Sequence, residues 1–411
     1  SRQFGSSQPT LLQARMAQQR RAAVLRSGVC LAIAVAAASD SEVCVESGSG
    51  CAKKAQWGAS AEIYEYTSTA NPRMTEVPIR TFGPELHQHG PSRVIQLDLS
   101  ADLELDYPAT APNLLASFVR ILAGERLPTG VERATSQSFY VIRGRGQSNT
   151  RAGEVTWSEG DLFVVPYLGD EVTPVCDEKS QCLQHACLEE PHFGGCALYW
   201  VHDEPLLKYL GVRPDSKRRF EPTLYPGSVM RDTVAAIPNE DESGHVRNRR
   251  GILLGNVATS QTKTLTPTMW SLLNSIGANA SQDPHKHNSV ALDLAVFGGQ
   301  TGKVYSLLGR ELNANGSIVN PVRAEWKSGG VFVTPPGWWH SHHNDGNVAA
   351  WVLPVQDAGL YTHQRTLDIR FMSAEQEQLK RGASRGATLP EEMAQPAPPM
   401  VAGTIVTGHV M

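Results

Sequence analysis

The sequence predicts an all-β protein built as two successive barrels of short strands. Gly 36 and Pro 26 against 7% aromatic residues supply many turns. Apolar runs of strand length recur between those turns, and long helical periodicity is scarce. At 411 residues the chain exceeds one ordinary core and suits two domains of about 100–200 residues each, plus appendages. With 41% hydrophobic residues, 19% charged and a net charge of −4, it has globular composition and no sign of a polyanion-binding surface.

Residues 1–75 read as a leader and linker. Met16 opens a basic stretch, Val29 to Ala38 is apolar, and Ala36-Ala37-Ala38 forms a small-residue cleavage site. That layout, over 16–38, is a signal peptide, with residues 1–15 upstream of the start. The apolar run is shorter than the ~20 residues of a membrane-spanning helix, so no stable span is expected. The alternative is a disordered extension with translation starting at Met74 in the cytoplasm. Removing residues through Ala38 deletes Cys30 and leaves six cysteines: Cys44, Cys51, Cys176, Cys182, Cys187 and Cys196. In a secretory compartment these are expected to form disulfides of open connectivity. In a reducing one, the last four could hold zinc with His185 and His192.

From Arg73 onward two halves share a layout. Leu114 to Leu122, Ser138 to Ile142 and Asp161 to Val165 read as strands of an N-terminal barrel over 76–210, which carries a cysteine-containing insertion at 170–196. A connection with a short helix occupies 211–260. Trp270 to Ile276, Val290 to Phe297, Lys303 to Leu308 and Val331 to Thr334 are strands of a C-terminal barrel over 261–371, and a tail covers 372–411. The repeated order indicates an internal duplication.

The chemistry lies in the second half. His285-Lys286-His287 opens a strand, so both imidazoles face one side. Gly329-Gly330 to Pro335-Pro336-Gly337-Trp338-Trp339-His340-Ser341-His342-His343-Asn344 then reads as a hairpin that brings His340 to them. Three such histidines form a facial nitrogen set with open positions, suited to iron(II), manganese, nickel, copper or zinc. Of His342 and His343, one lines the pocket and the other is solvated, because consecutive strand residues face opposite ways. Trp338 and Trp339 flank the hairpin, one walling the pocket and the other packing outside.

The second run matches the cupin motif G-x5-P-x-G-x2-H-x3-N at each specified position from Gly329 to Asn344. The chain resembles the bicupin family that includes gentisate 1,2-dioxygenase and its salicylate relatives, whose strand reads His-Arg-His before a Ser-Ala-Leu-Arg-Phe-like run. Here the corresponding run is His285-Lys286-His287-Asn288-Ser289-Val290-Ala291-Leu292-Asp293-Leu294. The resemblance covers roughly 110–371. It implies two tandem cupin (double-stranded β-helix, or jelly-roll) barrels with short connecting helices. It also implies a mononuclear iron(II) site that takes an ortho-hydroxy aromatic acid and O2, cleaving the ring.

Asp293 stands where the family has an arginine suited to a substrate carboxylate. If no bulge intervenes, it shares the strand face of His285 and His287 and joins His342 as a catalytic group. Its charge is expected to disfavour gentisate and salicylate, unless Arg247, Arg249 or Arg323 folds over the site. In the first barrel the same alignment puts Val131, Arg133 and Glu171 at the ligand positions, so that barrel is expected to have lost its metal. His87 and His89 read as a solvated loop.

The combined expectation is an iron(II)-dependent dioxygenase acting on a small aromatic or hydroxylated compound, without a nucleic-acid partner. It would act alone, as a homo-oligomer or within a larger complex. The rivals are a lyase or isomerase in which the metal is a Lewis acid and a histidine or Tyr361 moves a proton, and a non-catalytic ligand-binding subunit. Mass spectrometry of protein from its native source is expected to find a mature start after Ala38 and Cys176 to Cys196 oxidised. Free thiols throughout would favour Met74 as the start.

Overall fold

The computed structural model describes residues 58, 60–131, 133–167, 183–188, 194–215, 217–240 and 249–372. The expected signal segment, Cys30, Cys44, Cys51, Cys176, Cys182, Glu171, His192 and Arg247 lie outside these residues. The chain divides into a unit Ser1–Met74 and a unit Thr75–Met411. The described part of the first holds a short helix, Tyr66–Thr69, capped by the Glu65 carboxylate, which accepts from the backbone N–H groups of Thr67 and Ser68. No helix among the described residues is long and apolar enough to cross a membrane.

The second unit contains two barrels of antiparallel strands, each a six-stranded sheet facing a smaller one. The N-terminal large sheet runs Thr223–Tyr225, Leu162–Pro166, Ser136–Arg143, Cys196–His202, Leu115–Ile121, Arg93–Gln96. Its counterpart in the C-terminal barrel runs Thr81–Phe82, Val331–Thr334, Ala291–Phe297, Ala350–Gln356, Trp270–Ile276, Arg250–Leu254. The small sheets repeat the correspondence. Arg126–Pro128, Gln184–Cys187, Arg145–Thr150 and Gly153–Ser158 match Ala280–His287, Trp339–Asn344, Val304–Gly309 and Val322–Glu325, and Ile369–Phe371 is added at the C-terminal edge. The two barrels thus repeat one sheet order, with Ile369–Phe371 the strand without a counterpart among the described residues.

Two short strands cross the expected boundaries. Thr81–Phe82, at the start of the expected N-terminal barrel, pairs with Val331–Thr334 of the second. Thr223–Tyr225, from the expected connection, pairs with Leu162–Pro166 of the first. The large sheets pack face to face, because alternate residues on each are apolar on the outer side as well as the inner. Phe118, Tyr140, Leu162, Val164 and Tyr199 share one core with Leu273, Leu292, Leu294, Val331 and Val355. The Tyr199 hydroxyl crosses it and donates to the Leu292 carbonyl at 3.1 Å.

The two barrel interiors differ in kind. In the first, Phe139 stacks between Phe163 (ring centroids 4.9 Å apart) and Trp200 (5.6 Å), with Val131, Trp157 and Leu183 filling the remainder. Each buried aromatic of this size stabilises the fold by about 1.5–3 kcal/mol. Cys187 and Cys196 are joined in a disulfide with Cα atoms 5.7 Å apart, inside this apolar cluster. In the second, apolar packing by Ala295, Val304, Trp326 and Phe332 fills one part. Buried polar residues, including Gln282, His287, Ser306, His340, His342 and Gln356, occupy the rest.

Replacing Cys187 and Cys196 with serine and alanine is expected to cost about 2–3 kcal/mol, the low end for a short closed loop. A denaturant titration with and without reductant measures this. No shift in midpoint would show that the bridge does not constrain the fold.

Candidate metal centre

His340 and His342 point into the C-terminal barrel because they alternate with Trp339, Ser341 and His343 along Trp339–Asn344. The strand's entry is set by Gly337, whose φ of 77° suits glycine and whose N–H donates to the His287 carbonyl at 2.7 Å. Its exit is set by Asn344. The Asn344 amide donates to the carbonyls of Ile276, Gly277 and Val348, and its oxygen accepts from the Gly346 N–H. The motif's glycine and asparagine thus hold the two ends of one strand. His285 pairs with His340 across the sheet, and a bulge between Gln282 and His285 brings His285 into that register.

Four imidazoles meet here. Single ligand atoms of His285, His340 and His342 lie within 4.8 Å of one another. The His287 ring centroid is 4.9 Å from that of His340 and 6.0 Å from that of His285. Distance alone therefore favours His342 over His287 as the third donor, and the hydrogen bonds add a second criterion. His287 Nδ1–H donates to the Ser289 carbonyl at 2.8 Å, and His340 Nδ1–H donates to the Trp338 carbonyl at 3.1 Å. A carbonyl only accepts, so both rings carry their proton on Nδ1 and present a lone pair at Nε2. His287 Nε2 is buried with no hydrogen-bond partner among the described residues. An orphan of this kind costs about 1–3 kcal/mol unless something fills it. These residues fit a divalent metal.

His285 is held differently. Arg249 donates to His285 Nδ1 at 3.0 Å and also to the Asp283 carbonyl. Its guanidinium lies 4.9 Å over the Phe371 ring, which stacks on His285 with centroids 5.8 Å apart. Arginine only donates, so this contact needs the Nδ1 lone pair and puts the His285 proton on Nε2. Ligation through Nε2 requires the reverse. A metal at His285 Nε2 and Arg249 at His285 Nδ1 thus compete for one neutral ring.

Burial sets the protonation of the cluster. It holds His285 and His340 well below the ordinary histidine range, with the neighbouring imidazoles and Arg249 adding to the effect. It takes His287 to about 4, while the bond to Ser289 pulls the other way, and His342 to about 3. All four rings are neutral at pH 7, as metal ligands must be.

Several expectations need correction. Asp293 does not share a strand with the histidines: that strand ends at His287, and Asp293 lies on Ala291–Phe297 in the facing sheet. It alternates with Leu292 and Leu294, which enter the inter-sheet core, so it faces the barrel interior with Ala295. Thr334 donates to its carboxyl at 2.6 Å, and burial pushes it up to about 7. Its charge near neutral pH is therefore smaller than the sequence suggests. Trp339 packs outside, 4.9 Å under Lys286. Trp338 is half-buried against the apolar part of the core with Arg310 over its ring. Tyr361 lies on the helix Ala358–Gln364 and is pushed up to about 12 by burial. His343 is the outward member of its pair and stacks on Tyr305 at 5.0 Å.

His87 is not solvated. It is buried, lies 4.7 Å from the Phe118 ring, and its Nε2–H donates to the Gly329 carbonyl, 3.0 Å away. His89 is exposed, as expected. In the first barrel the ligand positions shift from those read in the sequence. Leu127 pairs with His185, and the Thr129 N–H bonds the Leu183 carbonyl. By register, Thr129 and Val131 match His285 and His287, Leu183 matches His340, and His185 matches His342. His185 is thus a pocket residue of the first barrel, not a zinc ligand on the insertion. The signal that could have found it was the short strand Gln184–Cys187, in which His185 lies two residues past Leu183 as His342 lies two past His340. The 16-residue gap after Pro166 hid that correspondence.

No known protein family's sequence profile matches this chain. No curated protein matches it either. Solved structures do. A tryptophan-to-tyrosine mutant of salicylate 1,2-dioxygenase from Pseudoaminobacter salicylatoxidans, in complex with gentisate, aligns over 76% of this chain and 92% of its own with a TM-score of 0.52 at 13% identity. A second structure of a salicylate 1,2-dioxygenase from Pseudaminobacter salicylatoxidans aligns over 73% and 89%, with a TM-score of 0.51 at 12% identity. The chain has the bicupin fold. Bicupin architecture accounts for the paired large sheets, and the second barrel carries a histidine group able to hold a metal.

Two outcomes are expected for metal binding by this bicupin. Affinity should stay flat from neutral pH down to about 5 and fall only towards 4, because protons compete weakly for rings whose pKa burial has lowered. A decline starting near 6.5, the ordinary histidine value, would contradict that reading. Arg249→Met should tighten metal binding roughly ten-fold, the size by which an outer partner changes affinity but with the opposite sign, because Arg249 opposes the His285 tautomer that ligates through Nε2. Isothermal titration with zinc(II) measures both.

Proposed function

We propose that this bicupin is a metal-dependent oxygenase of the C-terminal barrel, with His285, His287 and His340 holding iron(II) or a similar divalent ion. The observation that carries the reading is the buried, unpartnered Nε2 of His287, in a pocket where His340 presents a second Nε2 lone pair. Three neutral histidines leave a metal its full charge and open positions, which suits chemistry between O2 and a chelating organic substrate. The rest is supplied by the chain. Arg249, at the edge of the pocket, offers a guanidinium to an anionic group on the substrate once His285 no longer needs it. Asp293, near neutral and tied to Thr334, repels such a group less than an ionised aspartate would. His342 faces the same space and is the candidate to hydrogen-bond the substrate.

A small hydroxylated or aromatic acid is therefore the substrate class. Gentisate, which is bound in one of the similar structures, is the first compound to test.

His340→Ala is expected to remove stoichiometric metal, and Leu183→Ala, at the matching place in the first barrel, to leave it bound. Elemental analysis decides, and full metal content in His340→Ala would overturn the ligand assignment. The iron(II)-loaded protein should consume O2 with at least one ortho-hydroxy aromatic acid in an oxygen-electrode screen. Turnover that is equally fast without O2 would instead assign the site to lyase or isomerase chemistry.

A further inference from the structure

The same three-residue chain occurs in both barrels. In the second, Trp326 Nε1–H donates to Ser306 Oγ at 2.9 Å, and Ser306 Oγ lies 2.8 Å from His342 Nδ1. In the first, Trp157 Nε1–H donates to Ser148 Oγ at 2.8 Å, and Ser148 Oγ lies 2.7 Å from His185 Nδ1. The registers agree as well, since Ser306 pairs with His342 and Ser148 with His185. All six side chains are buried.

The direction of the bonds follows from the donors. An indole N–H only donates, so each serine oxygen accepts from tryptophan. Its own hydrogen then has the histidine Nδ1 as its acceptor. The opposite orientation, Nδ1–H to serine, would leave a hydroxyl hydrogen buried without an acceptor among the described residues. The histidine proton therefore sits on Nε2. The first barrel shows where that proton points: His185 Nε2 lies 2.8 Å from Thr129 Oγ1, a hydroxyl able to accept it. Thr129 holds the register position of His285. In the second barrel the equivalent N–H is aimed into the metal pocket.

We propose that Trp326 and Ser306 are positioning residues that hold the proton of His342 on Nε2. His342 then serves as a hydrogen-bond donor to the substrate instead of a fourth or substitute metal ligand. The inference rests on the function proposed above for the same site, and deepens it by separating His342 from the ligand set although it lies within 4.8 Å of two of its members.

Long-range 1H–15N correlation of the full-length protein labelled at histidine, in the metal-free state, reads the tautomer directly. His342 is expected to show a protonated Nε2 and an unprotonated Nδ1. Ser306→Ala should release this preference into a mixture of tautomers, and Ser306→Thr should restore it. Ser148→Ala should do the same to His185 as a matched control. Zinc(II) affinity in Ser306→Ala and His342→Gln should stay within about two-fold of the unchanged protein, whereas altering the outer partner of a true ligand typically costs 10–100-fold. A wild-type His342 with its proton on Nδ1, or a loss of zinc affinity of that size in either variant, overturns the proposal. The tautomer is read without metal, so metal retained in His340→Ala would undo the ligand assignment and leave the His342 result standing. If a variant fails to fold, the wild-type spectrum alone still decides.

Discussion

His287 gives its Nδ1 proton to the Ser289 carbonyl and His340 gives its own to Trp338, and the remainder of the metal pocket is arranged around these two bonds. Each acceptor is backbone, so its position is fixed by chain geometry and not by another side chain. Ser289 lies two residues past the end of the strand Ala280–His287, and Trp338 immediately before the start of Trp339–Asn344. The Gly337 N–H closes the arrangement on the His287 carbonyl. Strand ends, turn and tautomers are thus set together, and both Nε2 lone pairs are fixed before any metal arrives. Such preorganisation removes part of the ordering cost that metal binding would otherwise incur.

The first barrel shows what the same scaffold becomes without those donors. Thr129, Val131 and Leu183 take the matching register positions, and the Phe163–Phe139–Trp200 stack fills the volume. His185 survives there because both of its nitrogens are satisfied, by Ser148 and Thr129. A buried polar ring with two partners is tolerated in an apolar core, whereas one left open would be costly. The strand differs too. Thr129 follows Leu127 by two positions, where the bulge in the second barrel places His285 three positions after Gln282. That extra residue is a backbone requirement of the metal pocket which a ligand-by-ligand comparison does not reveal.

Much of this was legible in the sequence. Glycine and proline punctuation located most of the large-sheet strands, and the motif from Gly329 to Asn344 located the hairpin, because its residues are demanded by turn geometry. Strand ends were less legible. Nothing in the run from His285 to Asp293 announces that the chain turns at Asn288 and enters the opposite sheet, since an apolar run after a polar strand also reads as its continuation. Arg249 could be named only as one of three arginines able to fold over the site, and His87 was read as solvated, for a different reason. Their roles come from tertiary contacts, one at His285 and one at the Gly329 carbonyl, formed by segments 36 and 242 residues away.

That last contact bears on why the first barrel matters to the second. Gly329 opens the metal hairpin with a φ of 78°, and its carbonyl is held by a histidine whose own carbonyl is held by Arg120 of the first barrel's large sheet. Asp203, at the end of another strand of that sheet, accepts from the Thr268 hydroxyl just ahead of the strand Trp270–Ile276, and Asn113 donates to Asp357 just past Ala350–Gln356. Asp357 in turn accepts from the Val290 N–H, in the turn that follows Ser289. The shared apolar core fixes the two sheets against each other, and these polar contacts fix the ends of the strands that carry the pocket. An apolar face tolerates small sliding, whereas directional bonds at strand ends do not. A barrel that holds its own interior with aromatic rings is therefore well suited to a second task, keeping the His287 turn and the Gly329 hairpin in register with each other.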